Sequence, residues 1–200
     1  NKGIDQLKDV IDQLKNSETR NSRRLVVSAW NPCQLDAMAL PPCHILFQFN
    51  VIDNKKLSCS MYQRSVDVAL GCPFNIASYS FLTHLIAHHC DLEPYEFVYY
   101  MGNAHIYEEH LDSMKKQVER DPYKFPQIKI LNKRDNLEDY ILEDFEILHI
   151  QRSHYVLSGP FEMATGILDF EKLLLVEERL RQHPIEKELN RAWMVVAKKK

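Results

Sequence analysis

A cysteine followed directly by a histidine is the first feature of this sequence that is able to do chemistry. Cys43 and His44 come after Pro41 and Pro42, which stop any helix before them, and an apolar, strand-like run begins at His44. A cysteine at the mouth of a strand beside an imidazole is a candidate nucleophile when its surroundings favour the thiolate. An isolated cysteine is more often a small buried apolar residue, so the pair alone leaves both interpretations open.

A polar run from Gln63 to Asp67 strengthens the interpretation of Cys43 as a nucleophile. The guanidinium of Arg64 would favour the thiolate of a nearby cysteine, and it is suited to bidentate binding of a phosphate. The hydroxyl of Ser65 adds a further phosphate donor. Taken without these neighbours, Arg64 would be interpreted as a surface cation in a loop.

Three further polar side chains have the chemistry to recognise a nucleoside. Asn75 lies near the start of a long apolar helical pattern, where its amide is either an N-cap or a donor–acceptor pair that matches O4 and N3–H of uracil. His105 and Tyr107 follow an apolar, strand-like run, and together they are able to hold a sugar hydroxyl. A satisfied histidine and a packed tyrosine are the alternative for this second pair.

Composition limits the classes of function. The 200 residues suffice for one compact domain, and the net charge is −3. The slightly negative charge disfavours general affinity for nucleic acid or membrane surfaces, which would need a basic excess. No stretch has the ~18 apolar residues of a membrane helix. Five cysteines at scattered spacings disfavour a disulfide scaffold and indicate the cytoplasm or another reducing compartment. His84, His88, His89 and Cys90 are expected to be satisfied helix residues and not metal ligands.

Apolar periodicity predicts a mixture of helices and strands. Helices are predicted at 4–14, 73–90 and 107–118, and strands at 25–30, 44–51, 56–63, 97–101, 128–131 and 145–150. Asp53 and Asn54 supply the turn of a hairpin between the strands at 44–51 and 56–63. The helix at 73–90 has little polar surface, which predicts that it is buried.

Four segments combine these residues in one order: NSRR at 21–24 followed by VVSAWN at 26–31, PPCH at 41–44, QRSVDVALGCPFNIASY at 63–79, and GNAHIY at 102–107. In this order and spacing they resemble the thymidylate synthase family, over roughly residues 3–165. The resemblance implies an α+β fold in which a mixed β-sheet with a long buried helix packs across a dimer interface.

The resemblance also implies an activity, the reductive methylation of dUMP to dTMP by 5,10-methylenetetrahydrofolate without a metal. Cys43 would attack C6 of the uracil, so that C5 becomes a carbon nucleophile. Arg64 would bind the phosphate and favour the thiolate, and Asn75 would recognise uracil. Asp67 would contact both the pyrimidine and the folate ring, and these four residues form the expected catalytic set.

The remaining contacts are assigned by the same resemblance. The expected substrate-binding residues are Arg23, Arg24, Gln63, Arg64, Ser65, Asp67, Asn75, His105 and Tyr107, and the expected folate-binding residues are Asp67 and Ala164. His105 and Tyr107 would hold the deoxyribose hydroxyl. Arg23 and Arg24 imply a homodimer, because in the family this pair crosses the interface to the phosphate in the partner's site.

Two departures from the family pattern affect the expected domains. Residues 1–165 match the C-terminal two-thirds of the catalytic domain, so the family's N-terminal third is expected to be absent from them. The family ends shortly after the segment that matches Phe161 to Ala164, whereas this chain continues. Residues 166–200, with an amphipathic helix predicted from Leu168 to Arg181, are expected to be an appended tail that binds another protein.

Two alternatives to a synthase stay open at the level of sequence. A dUMP or dCMP hydroxymethylase would add water in place of hydride; the altered C-terminus favours it, whereas Asn75 favours uracil over cytosine. A catalytically inactive subunit with a structural or interaction role is the other alternative, motivated by the missing third and the added helices. The intact set Cys43, Arg64, Asn75, His105 and Tyr107 argues against it.

Overall fold

The computed structural model describes residues 3–122 and 124–149. Ala164 and the tail predicted at 166–200 lie outside the described residues. The chain divides into two compact units, one ending at Glu108 and the other beginning at Glu109. Within the described ranges, no helix is both long and apolar enough to cross a membrane.

The first unit is built around a four-stranded mixed sheet. Its elements are α1 (Gln6–Lys15), β1 (Val26–Ser28), a 3-10 helix (Pro32–Ala37), β2 (His44–Ile52), β3 (Lys56–Asp67), α2 (Gly71–His89) and β4 (Glu93–His105). The strand order is β1-β2-β3-β4; the first three strands are antiparallel neighbours, and β4 is parallel to β3. The predicted α+β class with a mixed sheet is therefore confirmed.

The turn between β2 and β3 confirms the predicted hairpin. Asp53 and Asn54 have φ values of 53° and 56°, and Lys55 N donates to Ile52 O at 3.1 Å. Positive φ at both central residues defines a type I′ turn, whose twist matches that of the flanking strands. The turn sets the register of the pair from Ile52 opposite Lys56 to Leu46 opposite Tyr62, and a register shift between Leu46 and His44 then places His44 opposite Gln63.

Strands β3 and β4 extend further than apolar patterning predicted. The pattern ended β3 at Gln63, but pairing continues through the polar residues to Asp67, which lies opposite His105 in β4. Main-chain hydrogen bonds hold this extension, and they do not depend on the polarity of the side chains. The extension carries the polar run of β3 to the end of a paired strand.

Helix α1 begins two residues later than its apolar spacing predicted. Asp5 caps it, since the Asp5 side chain accepts a hydrogen bond from Lys8 N at 3.0 Å. Ile4 therefore lies outside the helix and is 78% exposed, whereas Val10, Ile11 and Leu14 are buried as expected.

Helix α2 connects the parallel strands β3 and β4 and packs on one face of the sheet. The ring of Tyr79 contacts Phe47 of β2 edge-on at 5.4 Å and stacks on Phe97 of β4 at 5.5 Å. Eight helix residues are buried, most of them in the second half, whereas Ile76 is 45% exposed. A long helix is present where the sequence predicts one, but only eight of its 19 residues are buried in the described unit.

The second unit holds helix α3 (Leu111–Val118) and a two-stranded antiparallel sheet of β5 (Gln127–Ile130) and β6 (Phe145–His149). The helix predicted from Tyr107 begins at Leu111, after a 3-10 turn at Glu108–His110.

A fully buried carboxylate organises the chain next to this small sheet. Asp144 receives two bonds from Arg134, at 2.6 and 2.9 Å, one from Asn132 at 3.0 Å and one from Ile141 N at 2.9 Å. These donors, with Arg134 the largest contributor, lower the pKa of Asp144 to about 2. Sequence patterning gave no indication of this cluster.

We expect Asp144→Asn to lower the free energy of unfolding at pH 7 by about 2–3 kcal/mol, because charge-assisted bonds to Arg134 and Ile141 are lost. The carboxylate is held at a pKa of about 2 against an ordinary value of 3.8. Its contribution is therefore complete above that ordinary value and is lost as pH falls towards 2. Urea titrations of both proteins between pH 7 and pH 2 test this, and a difference that stays constant over the range would contradict it.

Candidate active site

The topology brings the predicted residues to one edge of the first unit's sheet. Because β2 is antiparallel to β3 and β4 is parallel to it, the start of β2 lies at the same edge as the ends of β3 and β4. Helix α2 begins four residues after β3, so its first turns lie at this edge too. The residues gathered there are Cys43, His44, Gln63, Arg64, Ser65, Asp67, Asn75, His105 and Tyr107.

Cys43 lies half-buried immediately before β2 and is tied to β3 through its main chain. Arg64 N donates to Cys43 O at 2.9 Å. The Arg64 side chain turns back to the same segment, where Nε donates to Pro42 O at 3.0 Å and Nη2 donates to Pro41 O at 2.7 Å. Arg64 is therefore a strand residue beside the cysteine, and its interpretation as a loop cation is wrong.

Gln63 supports the site from the buried side of β3. Its Nε2 donates to Ser65 O at 2.8 Å, and its Oε1 accepts from the Tyr99 hydroxyl at 2.6 Å. Gln63 is 3% exposed, and burial also raises the pKa of Tyr99. Both ends of the Gln63 amide are thus bound to protein, which fixes the main chain of Ser65. Tyr99 had no signal in the sequence, where it was one of several aromatic residues in an apolar strand.

Asp67 shapes the connection between β3 and α2. Its Oδ1 accepts from Ala69 N at 3.1 Å and Leu70 N at 3.2 Å, so the carboxylate satisfies main-chain donors ahead of the helix. A Cβ at Gly71 would lie 3.5 Å from both the Asp67 Cβ and Asn75 Oδ1. A methyl group at Gly71 would therefore be in ordinary van der Waals contact with both side chains.

Asn75 is a buried residue within α2 and not its N-cap, because the cap position is Leu70. It is 7% exposed, and its Oδ1 has no hydrogen-bond partner among the described residues. A buried amide oxygen without a partner is costly and calls for an explanation. An amide held rigidly in a helix at this edge presents a donor and an acceptor of fixed spacing.

His44 lies between Asn75 and Tyr79. The Tyr79 hydroxyl is 3.2 Å from His44 Nδ1, and His44 Nε2 is buried without a hydrogen-bond partner in the described part of the chain. Burial lowers the pKa of His44, and the neighbouring Asn75 amide offsets part of this effect. Burial therefore favours the neutral imidazole, in which one ring nitrogen donates and the other accepts.

His105 and Tyr107 lie at and just after the end of β4. His105 Nδ1 is 3.1 Å from Asn103 Oδ1, and the two rings meet edge-on at 5.1 Å. Tyr107 is 50% exposed, so it is not a core residue of the described unit. The exposed phenol and the half-buried imidazole form a polar pair two residues apart.

Arg23 and Arg24 are not brought to this edge by the fold of one chain. They precede β1, in which Val26 pairs with Gln48, four residues along β2 from His44. At ~3.3 Å per residue this places them roughly 20 Å from the start of β2. Both are exposed, and Arg23 O accepts from Gln48 Nε2 at 3.4 Å. Ala164, the other expected folate contact, lies outside the described residues.

The end of α2 carries His88, His89 and Cys90. His89 and Cys90 are buried, at 1% exposure each. In the part of the chain described here, no group of three His, Cys, Asp or Glu side chains is arranged to hold a metal ion.

Comparison with known proteins identifies the family. A family model of thymidylate synthase matches residues 1–161. This chain belongs to the thymidylate synthase family. It is 53% identical over 146 residues to a bifunctional dihydrofolate reductase-thymidylate synthase of Plasmodium chabaudi, and 48% identical over 166 residues to a thymidylate synthase of Vesicomyosocius okutanii.

These relatives are longer than the segment they share with this chain. The match covers 73% of the chain and 24% of the Plasmodium protein, and 83% of the chain and 60% of the Vesicomyosocius protein. A bifunctional dihydrofolate reductase-thymidylate synthase of Paramecium tetraurelia is also 53% identical, over 74% of the chain and 31% of its own length. The chain thus spans between a quarter and three-fifths of these relatives.

Close packing of β3 and β4 beside the site predicts that Gly102 tolerates no side chain. A Cβ at Gly102 would lie 2.8 Å from Arg64 O and 3.0 Å from the Tyr62 hydroxyl. We expect Gly102→Ala to lower the free energy of unfolding by about 1–3 kcal/mol, because the two strands must separate locally. Gly3→Ala is the control, since a Cβ there meets nothing within 4 Å. Equal urea midpoints for the two variants would contradict the close approach.

Proposed function

We propose that this chain carries the nucleotide-binding and covalent-catalysis part of a thymidylate synthase, which converts dUMP to dTMP with 5,10-methylenetetrahydrofolate. The observation that carries the proposal is the buried Asn75 amide, whose Oδ1 has no partner in the described residues, at the same sheet edge as Cys43 and Arg64. Membership of the family supports the same substrates.

In the proposed reaction, the Cys43 thiolate forms a bond to C6 of the uracil and the electron pair moves to C5 and O4. The amide of Asn75 donates to O4 and accepts from N3–H, which stabilises the developing negative charge on the pyrimidine. C5 would then bond to the one-carbon unit, lose its proton and expel the folate nitrogen from that carbon. Hydride from the folate would reduce the exocyclic methylene to a methyl group, and the accompanying cleavage of the Cys43–C6 bond would regenerate the thiolate. His44 lies beside Asn75, and its imidazole, whose neutral form burial favours, adds a polar group to the base site.

The phosphate site is proposed to use the donors of β3. A guanidinium has five N–H groups, and two of those on Arg64 bind main-chain carbonyls, which leaves three for a phosphate. The Ser65 hydroxyl lies next along the strand, on a main chain that Gln63 holds in place. His105 and Tyr107 are proposed to hold the sugar hydroxyl. Gln63 is accordingly proposed to act chiefly as a support.

The folate is proposed to contact Asp67. Oδ1 of this carboxylate is used by two main-chain N–H groups, and Oδ2 remains able to accept from an N–H group of a pterin-like ring. When bound, the folate would supply the one-carbon unit and the hydride, and Ala164 is proposed as a further contact.

We propose a homodimer in which Arg23 and Arg24 complete the partner's phosphate site. Their distance from Cys43 of the same chain supports this, because two arginines so far away are unable to bind a phosphate in the site of their own chain. Tyr62 and Tyr100 pair across β3 and β4 on the sheet face opposite α2, and they are 40% and 57% exposed. Such an apolar face supports packing of two sheets across the dimer axis.

The division into a catalytic domain at 1–165 and a protein-binding tail at 166–200 is proposed on sequence alone. A reducing compartment is proposed because all five cysteines are free, including exposed Cys33.

The proposed function predicts that this chain catalyses exchange of the C5 hydrogen of dUMP, even without folate. Addition of Cys43 to C6 makes C5 basic, so tritium at C5 is released to water. We expect Cys43→Ser to lower the release by at least about a thousandfold. Cys33→Ser, which removes an exposed cysteine, should behave like the wild type.

Product analysis with 5,10-methylenetetrahydrofolate then separates the alternatives. dTMP with dihydrofolate identifies a synthase, and a hydroxymethyl product identifies the sister activity. A folded chain that binds dUMP but releases no tritium would contradict the covalent mechanism and favour a structural subunit.

Base recognition by Asn75 predicts a change of preference on substitution. We expect Asn75→Asp to weaken dUMP binding by about tenfold or more and to improve dCMP relative to dUMP, because a carboxyl group suits the cytosine amino group and not O4 of uracil. Dissociation constants for both nucleotides test this. Thr83→Ser, a buried α2 position whose hydroxyl bonds to Tyr79 O, is the matched control. An unchanged ratio of the two constants would contradict the assignment.

The dimer proposal predicts complementation between two inactive chains. One chain would carry Arg23→Ala and Arg24→Ala, and the other Cys43→Ser. Mixing them after unfolding should restore tritium release to about a quarter of the wild-type rate, because half of the dimers are hybrids and each holds one complete site. No recovery in mixtures that are dimeric by light scattering would contradict the crossing arginines.

A further inference from the structure

A tryptophan that the proposed reaction does not use lies against Arg64. The Trp30 ring centroid is 5.7 Å from Arg64 Cζ, within the range of a cation–π interaction. Trp30 is half-buried just after β1, and Ala29 N donates to Ile45 O at 2.9 Å. This bond ties the segment that carries Trp30 to the beginning of β2, next to Cys43.

The guanidinium of Arg64 is therefore held in two ways. Pro42 O and Pro41 O accept from Nε and Nη2, and the Trp30 ring contacts the group as a third element. Carbonyls fix two N–H directions, and the ring restricts rotation of the guanidinium about its bonds. The three remaining N–H groups are thereby given fixed directions while the positive charge stays uncompensated by any carboxylate in the contacts described.

We infer that Trp30 is a positioning residue that holds the Arg64 guanidinium ready for an anion beside Cys43. The inference rests on the proposed function in that the anion is identified as the phosphate monoester of dUMP. The physical reason is preorganisation: an arginine side chain has several rotatable bonds, and fixing them before binding removes an entropic cost from the binding step.

A second cation–π pair in the same unit provides the contrast. Lys56 Nζ lies 5.2 Å from the Tyr95 ring, at a surface position where Tyr95 is 55% exposed. No hydrogen bond from Lys56 Nζ to a main-chain carbonyl is among those described. Tyr95→Ala therefore removes a cation–π contact of similar geometry away from Cys43.

The first test compares alkylation of Cys43 by anionic iodoacetate and by neutral iodoacetamide, with the Cys43 peptide quantified by mass spectrometry. The ratio of the two rates reports a fixed positive charge beside the thiol. We expect Trp30→Ala to lower this ratio by about three- to tenfold, towards that of Arg64→Met. Trp30→Phe should keep most of the ratio, because its ring retains the contact, and Tyr95→Ala should leave it unchanged.

A double variant separates positioning from general structural damage. In an Arg64→Met background, Trp30→Ala should cause no further change in the ratio, since its effect passes through the guanidinium. A ratio that Trp30→Ala leaves at the wild-type value, or lowers equally in both backgrounds, would overturn the inference. Equal ratios for the wild type and Arg64→Met would overturn it too, because the Arg64 charge would not act at Cys43.

The second test identifies the anion by comparing dUMP with deoxyuridine, which lacks the phosphate. Trp30→Ala should weaken dUMP binding by about three- to tenfold and leave deoxyuridine binding unchanged. Loss of both ligands to the same extent would overturn a specific role in holding Arg64. If the alkylation results hold while the wild type binds neither ligand, the positioning role of Trp30 stands and the proposed nucleotide substrate falls.

Discussion

The register of the β2–β3 hairpin is the constraint on which the candidate site depends. The type I′ turn at Asp53 and Asn54 fixes it as far as Leu46 opposite Tyr62, and a register shift beyond Leu46 then brings His44 opposite Gln63. A slip of one residue would turn every side chain of β2 to the other face of the sheet. Cys43 would then lose its place beside Arg64, and His44 would leave Tyr79. The turn and the register shift together determine that Cys43 and Arg64, which are distant in sequence, meet.

The crossover from β3 through α2 to β4 adds the second half of the site. Parallel strands joined by a helix place their carboxyl ends and the beginning of that helix at one edge. Asp67 at the end of β3, Asn75 in the early turns of α2 and His105 at the end of β4 meet there for this reason. One carboxylate oxygen of Asp67 accepts hydrogen bonds from the main chain just before α2. The same residue therefore serves both the fold and the proposed function.

Arg134 and Arg64 differ in the groups that they bind, and this difference determines whether each is able to bind a further anion. Arg134 forms a bidentate pair with buried Asp144, whose negative charge compensates it, and its role is structural. Arg64 instead donates to two neutral carbonyls and faces an aromatic ring, none of which cancels its charge. A neutral carbonyl orients a guanidinium without cancelling its positive charge. Arg64 therefore still attracts an anion, whereas the charge of Arg134 is compensated by Asp144.

The sequence by itself determined the local structure and the identity of the chemical groups. Alternating apolar residues, the Asp53-Asn54 turn and the long apolar helix are local signals, and the motifs around Cys43, Arg64 and Asn75 carried the family. What the tertiary structure decided depends on residues far apart in the chain. Tyr99 meets Gln63 across 36 positions, and Trp30 meets Arg64, because strand pairing and not sequence spacing sets those distances. The same pairing places Arg23 and Arg24 far from Cys43 of their own chain. The order of the motifs in the sequence does not reveal this separation.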